Sequence, residues 1–152
     1  MSPTFAGAKA PLRIDSVPRT RADAWLDANP VERPTLVLDL DLVEQSFRAL
    51  AGGLGDAAIH YAVKANPDPA VIRRLVACGA RFDAASRAEI ELCLREGAAP
   101  ADISFGNTVK RPADIAMAHA AGVDLFAADA AEELAKIAAH APGARVFIRL
   151  LL

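Results

Sequence analysis

Lys64 is the residue whose type and position could support covalent chemistry. It ends the run IHYAVK at residues 59–64, and strand alternation places His60, Ala62 and Lys64 on one face. Burial disfavours the ammonium form, so a lysine in an enclosed pocket can lose its proton and form an imine with an aldehyde. The position alone fits an ordinary solvated lysine just past a strand end better, so the neighbouring residues must decide.

Other polar side chains follow at the ends of similar short apolar runs. The runs begin at residues 59, 81, 103, 125 and 147, each 22 residues after the one before, and the segments between them have a helical pattern. Strands alternating with helices at this period indicate right-handed βαβ units and a parallel sheet. The polar residues at the predicted strand ends are Lys64, Asp83, Ser86, Asn107, Asp129 and Arg149.

Two architectures use such units, the open doubly wound sheet and the closed eightfold barrel. No GxGxxG or GxxxxGK[ST] motif follows a predicted strand, which weakens the nucleotide-binding sheet. Polar residues at the carboxyl ends of the strands favour the barrel, because a barrel has its chemistry there. A complete barrel needs eight βα units and roughly 250 residues, so we expect the 152-residue chain to be a fragment or truncated product of a larger enzyme.

Residues 1–33 contain scattered prolines and no sustained period, which predicts a loosely ordered arm with one short helix around Arg21–Ala28. TLVLDL at Thr35–Leu40 predicts a strand, and residues 42–51 predict a helix. The residues expected to cap or end helices are Asp41, Gly52, Gly53, Asp68, Ser86 with Glu89, and Asp129 with Glu132.

The composition excludes several function classes. Apolar residues make up 53% of the chain, the net charge is −2 and no Lys/Arg cluster stands out, so neither nucleic acid nor a membrane surface is expected as a partner. No signal peptide or membrane-span pattern is present, which predicts a cytoplasmic protein. Cys78 and Cys93 have no zinc-type spacing, and no histidine pairs with them, so no metal is expected.

Several segments in collinear order resemble one enzyme family. They are YAVKAN at 61–66, FDAAS at 82–86 with Glu89-Ile90 after it, ISFGNTVK at 103–110, GVDLFAAD at 122–129, Glu133-Leu134, and RVFIRL at 145–150. Together they resemble the fold-type III pyridoxal-phosphate amino-acid decarboxylases over about residues 34–152. FDAAS with a following Glu-Ile, and FGNTVKR, are more similar to ornithine decarboxylase than to diaminopimelate decarboxylase.

The resemblance implies a fold, a cofactor and a set of site residues. The fold is a (β/α)8 barrel of the alanine racemase and ornithine decarboxylase type, here truncated after about five strands. The cofactor is pyridoxal 5'-phosphate, with Lys64 as the Schiff-base lysine and Asp83, Glu89 and Arg149 as further cofactor-binding residues. Asp83 could instead be an ordinary strand-end aspartate, and capping with Ser86 explains Glu89 equally well.

The implied domain organisation has three parts. Residues 1–33 form the arm, residues 34–58 link an absent β domain to the barrel, and residues 59–152 form its first part. The partners of the cofactor's phosphate and ring nitrogen, a substrate-binding aspartate and a catalytic cysteine are expected farther along the chain. Asn107 and Lys110 are interpreted as loop residues and His60 as a packed core residue.

The implied function is decarboxylation of a small basic amino acid, most like L-ornithine to putrescine in polyamine biosynthesis, by a homodimeric full-length enzyme. The 152-residue chain alone is expected to be inactive. The alternatives are a diaminopimelate, lysine or arginine decarboxylase, or a non-catalytic binding protein like the antizyme inhibitors. A third hypothesis is a single-domain barrel of the cofactor-homeostasis kind, which the predicted strand at 35–40 disfavours.

Overall fold

The computed structural model describes residues 19–150. The chain divides into two compact units, residues 1–39 and 40–152. The helices are α1 (Arg21–Ala28), α2 (Leu40–Leu54), α3 (Pro69–Ala77), α4 (Arg87–Arg95), α5 (Pro112–Ala120) and α6 (Ala131–His140). The strands are β1 (His60–Ala62), β2 (Arg81–Ala84), β3 (Ile103–Phe105), β4 (Leu125–Ala128) and β5 (Arg145–Ile148). Within residues 19–150, no helix combines the length and the apolar character that crossing a membrane requires.

The first unit contains the predicted short helix α1. Its start is a capping box, in which the Thr20 hydroxyl accepts a hydrogen bond from the Asp23 amide at 3.2 Å. The Asp23 carboxylate in turn accepts one from the Thr20 amide at 2.6 Å and one from the Thr20 hydroxyl at 2.8 Å, and these two bonds to the carboxylate lower the pKa of Asp23. Such a reciprocal cap satisfies amide groups that a helix leaves open at its first turn, and the predicted helix at Arg21–Ala28 is confirmed.

The strand predicted at Thr35–Leu40 is wrong. Residues 35–39 have no regular secondary structure, and Leu40 already belongs to α2. An apolar run becomes a strand only when a neighbouring strand accepts and donates its backbone hydrogen bonds. No such neighbour is present among residues 19–150, where all five strands pair with one another in a single sheet.

Helix α2 is longer at both ends than the predicted 42–51. Asp41 lies inside its first turn instead of capping it, and Gly52 and Gly53 lie inside its last turns. The residue that follows the helix is Gly55, with a φ of 60° that favours glycine. Glycine inside a helix costs about 1 kcal/mol relative to alanine, so two glycines weaken a helix end without deciding where it stops.

The five strands form one parallel sheet in the order β1-β2-β3-β4-β5. Each strand therefore lies beside the next one along the chain. A doubly wound sheet reverses direction at a switch point, whereas a barrel adds strands in sequential order. The observed order agrees with the barrel that the strand period predicts.

The two faces of the sheet differ in chemistry. On one face Phe82, Phe105 and Phe126 are fully buried, at 0%, 2% and 0% exposure, and burying each such ring stabilises the fold by about 1.5–3 kcal/mol. The helices cover this face with Ile72, Ile90, Ile115 and Ile137. The register places His60, Asp83, Ser104, Leu125 and Phe147 on the opposite face, which is the inner face of a barrel.

The predicted boundaries of the strands hold at β2, β3 and β4, which begin at the expected residues. β1 begins at His60 and β5 already at Arg145, before the expected Phe147. Arg145 extends β5 because its amide donates to the Asp124 carbonyl at 2.7 Å and its guanidinium pairs with the Asp124 carboxylate at 2.8 Å. A charged first residue hides the start of a strand from a search for apolar runs.

Two of the three predicted later helix caps are present. The Asp68 carboxylate accepts from the Ala70 amide at 2.8 Å before α3, and the Ser86 hydroxyl accepts from the Glu89 amide at 3.3 Å before α4. Asp129 does not cap α6, because the residue before that helix is Ala130, which has no capping side chain. The prediction for Asp129 is therefore wrong.

Candidate active site at the carboxyl ends of the strands

An open cleft of about 360 Å³ lies on the inner face of the sheet. Two of the six predicted strand-end residues, Asp83 and Arg149, line it, so the fold brings these two to one cavity. The alternation along the strands explains the composition of the cleft, because in-register residues of parallel strands point to the same face. The lining residues are His60, Asp83, Ser104, Leu125, Phe147 and Arg149.

Asp83 lies on β2 with its half-buried carboxylate against β3. The Ser104 hydroxyl lies 3.1 Å from Asp83 Oδ1. A Cβ atom added at Gly106 would lie 1.8 Å from Asp83 Oδ1 and 2.8 Å from Oδ2. The carboxylate therefore occupies the space that any side chain at position 106 would need. Its position depends on Gly106 having no side chain.

Lys64 follows directly after β1 in a short 3-10 turn formed by Val63–Ala65. The strand ends at Ala62, so the alternation of side chains along a strand does not extend to Lys64. The prediction that Lys64 shares a face with His60 and Ala62 therefore has no strand to support it. Lys64 is exposed, and residues 19–150 do not form the enclosed pocket that we expected around its amine. Val63 is fully buried and anchors the turn, while Ala62 is the register partner of Asp83.

The three lysines of the described residues differ in what holds their amines. Lys110 Nζ lies 2.8 Å from Glu133 Oε1 and donates to the Ala127 carbonyl at 2.6 Å. Lys136 Nζ lies 2.5 Å from Glu133 Oε2 and donates to the Lys110 carbonyl at 2.8 Å. Lys64 makes no hydrogen bond or ion pair with any residue from 19 to 150. Its amine is the one of these three that a ligand can reach without breaking an existing bond.

Lys110 corrects the prediction that it is an ordinary loop residue. Its side chain has 0% exposure and stands 5.7 Å over the Phe105 ring. The loop after β3 turns back so that the amine reaches the carboxyl end of β4 and the first turns of α6. Asn107 does behave as a turn residue, since its side chain accepts from the Val109 amide at 3.4 Å.

Arg149 follows the last residue of β5 and extends the ladder by one bond, because its amide donates to the Ala128 carbonyl at 2.8 Å. Arg149 is one of the residues that line the cleft, and its guanidinium has no ion-pair partner in the part of the chain that the structure describes. A charged side chain free at the mouth of a cleft is suited to an anionic ligand.

Glu89 is not one of the residues that line the cleft. Its carboxylate accepts a hydrogen bond from the Ala85 amide at 2.7 Å, while its own amide donates to Ser86. The Ser86 half of the predicted capping box is confirmed, but the Glu89 carboxylate bonds the Ala85 amide and not the Ser86 amide that a reciprocal box requires. Its charge also acts on Cys93, one turn later on α4, where burial first and then Glu89 raise the pKa of the thiol to about 12. Cys93 is an inert core residue.

The family to which this arrangement belongs is decided by comparison with known proteins. The family model described as "Pyridoxal-dependent decarboxylase, pyridoxal binding domain" matches residues 40–152. The chain belongs to the pyridoxal-dependent decarboxylases. The match begins at the first residue of α2 and contains every strand of the sheet. It confirms the resemblance to fold-type III decarboxylases and pyridoxal phosphate as the cofactor.

Individual relatives agree with the assignment. The chloroplastic ornithine decarboxylase of Nicotiana glauca is 39% identical over 119 residues, covering 78% of this chain and 28% of that protein. The lysine/ornithine decarboxylase of Vibrio vulnificus, solved with putrescine, has a TM-score of 0.77 and 37% identity over 84% of this chain and 35% of that one. The arginine decarboxylase of Paramecium bursaria Chlorella virus, solved with agmatine, has a TM-score of 0.79 and 29% identity at the same coverage.

The chain thus spans about a third of the length of these relatives. The five-stranded parallel sheet and its likeness to the decarboxylase structures confirm a partial barrel of this type. Residues 40–152 are the part of a pyridoxal-dependent decarboxylase that carries the predicted Lys64, Asp83, Glu89 and Arg149.

The side chains of this decarboxylase domain fit part of pyridoxal phosphate. Lys64 has an unpaired amine that would suit the aldehyde, and Arg149 has an unpaired guanidinium that would suit the anionic ring oxygen. The space beside Gly106 is filled by the carboxylate of Asp83, which is itself one of the residues that line the cleft. Within residues 19–150 no group of three His, Cys, Asp or Glu side chains could hold a metal ion.

Two cleft residues of this decarboxylase domain were missed or misread in the sequence. Ser104 is only 3% exposed and bonded to Asp83, yet it is not among the polar residues predicted at the strand ends. His60, interpreted as a packed core residue, lies half-buried in the cleft with Nδ1 3.4 Å from the Ser104 hydroxyl. Alternation was the available signal, since Ser104 is a polar residue inside a strand and is opposite Asp83 in the register.

Proposed function

We propose that the protein containing this chain decarboxylates a small basic amino acid with pyridoxal phosphate, converting L-ornithine to putrescine in polyamine biosynthesis. The observation that carries the proposal is the unpaired amine of Lys64. This residue follows directly after β1, whose last residue, Ala62, is the register partner of Asp83. The names of the relatives support the substrate class, since ornithine, lysine and arginine are all basic amino acids.

In this proposal each side chain has a distinct task. Lys64 bonds the cofactor covalently through its amine. Arg149 holds the anionic ring oxygen with its guanidinium. Asp83 accepts a hydrogen bond from the nitrogen at the reacting centre and fixes its orientation. When bound, pyridoxal phosphate takes up the electrons that decarboxylation releases.

A substrate panel with the full-length protein tests the function. We expect pyridoxal-phosphate-dependent CO₂ release from L-ornithine, with smaller rates for L-lysine, L-arginine and diaminopimelate. A higher kcat/KM for one of the other three would reassign the substrate within the family. If the protein binds pyridoxal phosphate yet releases CO₂ from none of them, it is a non-catalytic binding protein.

We further propose that the full-length enzyme is a cytoplasmic homodimer and that residues 1–152 by themselves do not release CO₂. Along the last strand Phe147 is 38% and Ile148 50% exposed, and Leu150 after it is 73% exposed. Apolar side chains at a strand edge favour self-association. Light scattering on both proteins tests the dimer, the CO₂ assay tests the inactivity of residues 1–152, and cell fractionation tests the location. A monodisperse 152-residue chain with cofactor-dependent turnover would contradict its proposed inactivity.

Replacing Asp83 with alanine should lower turnover far more than stability. A charged hydrogen bond at the reacting centre contributes about 1–3 kcal/mol to the barrier, so we expect kcat to fall by about 10- to 100-fold. Asp56→Ala, at an exposed position, is the matched control and should leave kcat unchanged. An unaltered kcat with a lower melting temperature would make Asp83 a structural residue.

Replacing Gly106 with alanine should displace the same carboxylate without removing it. The new Cβ would lie 1.8 Å from Oδ1, so Asp83 must rotate and give up its bond to Ser104. We expect kcat to fall by about tenfold or more. Gly52→Ala meets nothing within 4 Å and serves as the control for an added methyl group. Full turnover in Gly106→Ala would mean that the position of Asp83 has no effect on the reaction.

A further inference from the structure

Asp83 depends on very few groups for its position. Among residues 19–150 the Ser104 hydroxyl provides the one hydrogen bond to its carboxylate, at 3.1 Å. Ser104 is itself only 3% exposed, so water does not substitute readily for this bond. The same hydroxyl lies 3.4 Å from His60 Nδ1 and 3.3 Å from the Phe82 carbonyl.

The single proton of the Ser104 hydroxyl decides the direction of these bonds. A serine hydroxyl has one donor and two acceptor lone pairs. If it donated to Phe82 or His60, its lone pairs would face the Asp83 oxygen at 3.1 Å, which is repulsive for an ionised carboxylate. Donation to Asp83 is the shortest and the charge-assisted choice. The hydroxyl oxygen is then free to accept a hydrogen bond from His60 Nδ1, which requires the imidazole tautomer with its proton on Nδ1.

We propose that Ser104 and His60 are positioning residues, which hold the Asp83 carboxylate through the chain His60 Nδ1–H to Ser104 Oγ and Ser104 O–H to Asp83 Oδ1. The inference rests on the proposed function, in which Asp83 acts at the reacting centre. The chain crosses three neighbouring strands, since His60 lies on β1, Asp83 on β2 and Ser104 on β3. Ser104 bonds the carboxylate, which lies in the space that the missing side chain of Gly106 leaves free.

The chain has a specific physical effect. Each bond in a row of hydrogen bonds polarises the next, so the imidazole makes the serine hydroxyl a better donor to Asp83. Without the hydroxyl, the carboxylate is free to rotate toward solvent. Its orientation about the Cβ–Cγ bond of Asp83 must then be fixed again in each turnover. A loss of orientation affects the rate of reaction more than the affinity for substrate.

The test uses the full-length enzyme and compares Ser104→Ala in two backgrounds. In the native background we expect kcat to fall about tenfold with KM changed less than about twofold. In the Asp83→Ala background the same replacement should lower kcat by less than about twofold, because the group that Ser104 positions is gone. Equal losses in both backgrounds overturn the proposal, since they show that Ser104 acts independently of Asp83.

Conservative variants separate positioning from packing. Ser104→Thr keeps the hydroxyl and should retain kcat to within about threefold, whereas Ser104→Cys, of similar size, should resemble alanine because a thiol is a weak donor. His60→Asn keeps a side-chain N–H near the Nδ1 position and should exceed His60→Phe in kcat. Ser46→Ala, exposed on α2, is the neutral control. If Ser104→Thr loses as much kcat as Ser104→Ala, the proposal is overturned.

The failure of the inference differs from failure of the proposed function. Borohydride reduction of the native enzyme with pyridoxal phosphate, followed by peptide mapping, shows whether Lys64 bonds the cofactor. An enzyme labelled at Lys64 and active on L-ornithine, but with additive losses in the two backgrounds, overturns only the role of Ser104 and His60. An enzyme without a label at Lys64 overturns both.

Discussion

Replacing Lys64 with alanine in the full-length protein should remove covalent attachment of pyridoxal phosphate and lower kcat by about a thousandfold or more. The physical reason is that covalent catalysis loses its nucleophile, and such replacements remove most of the rate enhancement. The amine of Lys64 has no partner among residues 19–150, whereas those of Lys110 and Lys136 are held by Glu133. The fold therefore predicts one labelled lysine among these three.

The measurement is borohydride reduction in the presence of pyridoxal phosphate, followed by peptide mapping and a CO₂ assay. Lys64→Arg keeps the positive charge but cannot form the bond, so it should match alanine in both assays. A label on Lys110 or Lys136 in the native enzyme would disprove the assignment. So would a Lys64→Arg variant that turns over L-ornithine at the native rate.

The sheet could be predicted because its signals are local. Three strands begin where the 22-residue period places them. A buried apolar run can be recognised in the sequence without knowing which strands lie beside it. The prediction of a strand at Thr35–Leu40 was wrong for the opposite reason. Strand formation depends on a neighbouring strand, and a local sequence pattern does not show whether one is present. Arg145 belongs to β5 through its backbone pairing with β4 and its bonds to Asp124, which are again long-range contacts.

The candidate site divides in the same way. Asp83 and Arg149 were found from their places at strand ends and from the family resemblance, and both line the cleft. Ser104 could have been found by extending the alternation from Asp83 to the next strand. The burial of Lys110 could not, because it requires the loop after β3 to return to α6. A lysine after Asn107 and Val109 has the local pattern of an ordinary turn.

The buried cluster of Lys110, Glu133 and Lys136 should give the largest effect on stability. Replacing Glu133 with glutamine removes the carboxylate that faces both amines at 2.8 and 2.5 Å. Lys110, with 0% side-chain exposure, then keeps a buried charge without its counterion. Breaking a buried pair in this way costs about 3–5 kcal/mol. Urea unfolding followed by circular dichroism measures the change in the free energy of unfolding.

Two further variants show whether the charge itself is responsible. Glu132→Gln changes the exposed neighbour on the same helix, and it should shift the free energy of unfolding by less than about 0.5 kcal/mol. The double variant Lys110→Met with Glu133→Leu removes both buried charges and should be more stable than Glu133→Gln. If Glu133→Gln unfolded at the native urea concentration, the cluster would have no part in stability.

The pH dependence of this effect has a definite sign. Burial raises the pKa of Glu133, but hydrogen bonds from Lys110 and Lys136, together with their charges, outweigh burial and hold the pKa below its ordinary value of 4.5. A carboxylate with a lowered pKa in the folded state stabilises that state fully above the unfolded value, and the contribution disappears as pH falls through the folded value. The stability difference between native protein and Glu133→Gln should therefore be constant near neutral pH and shrink below about pH 4.5. Urea unfolding of both proteins at pH 7 and at several values below 4.5 tests this, and a difference that grew as the pH fell would show that Glu133 is not held as the anion in the fold.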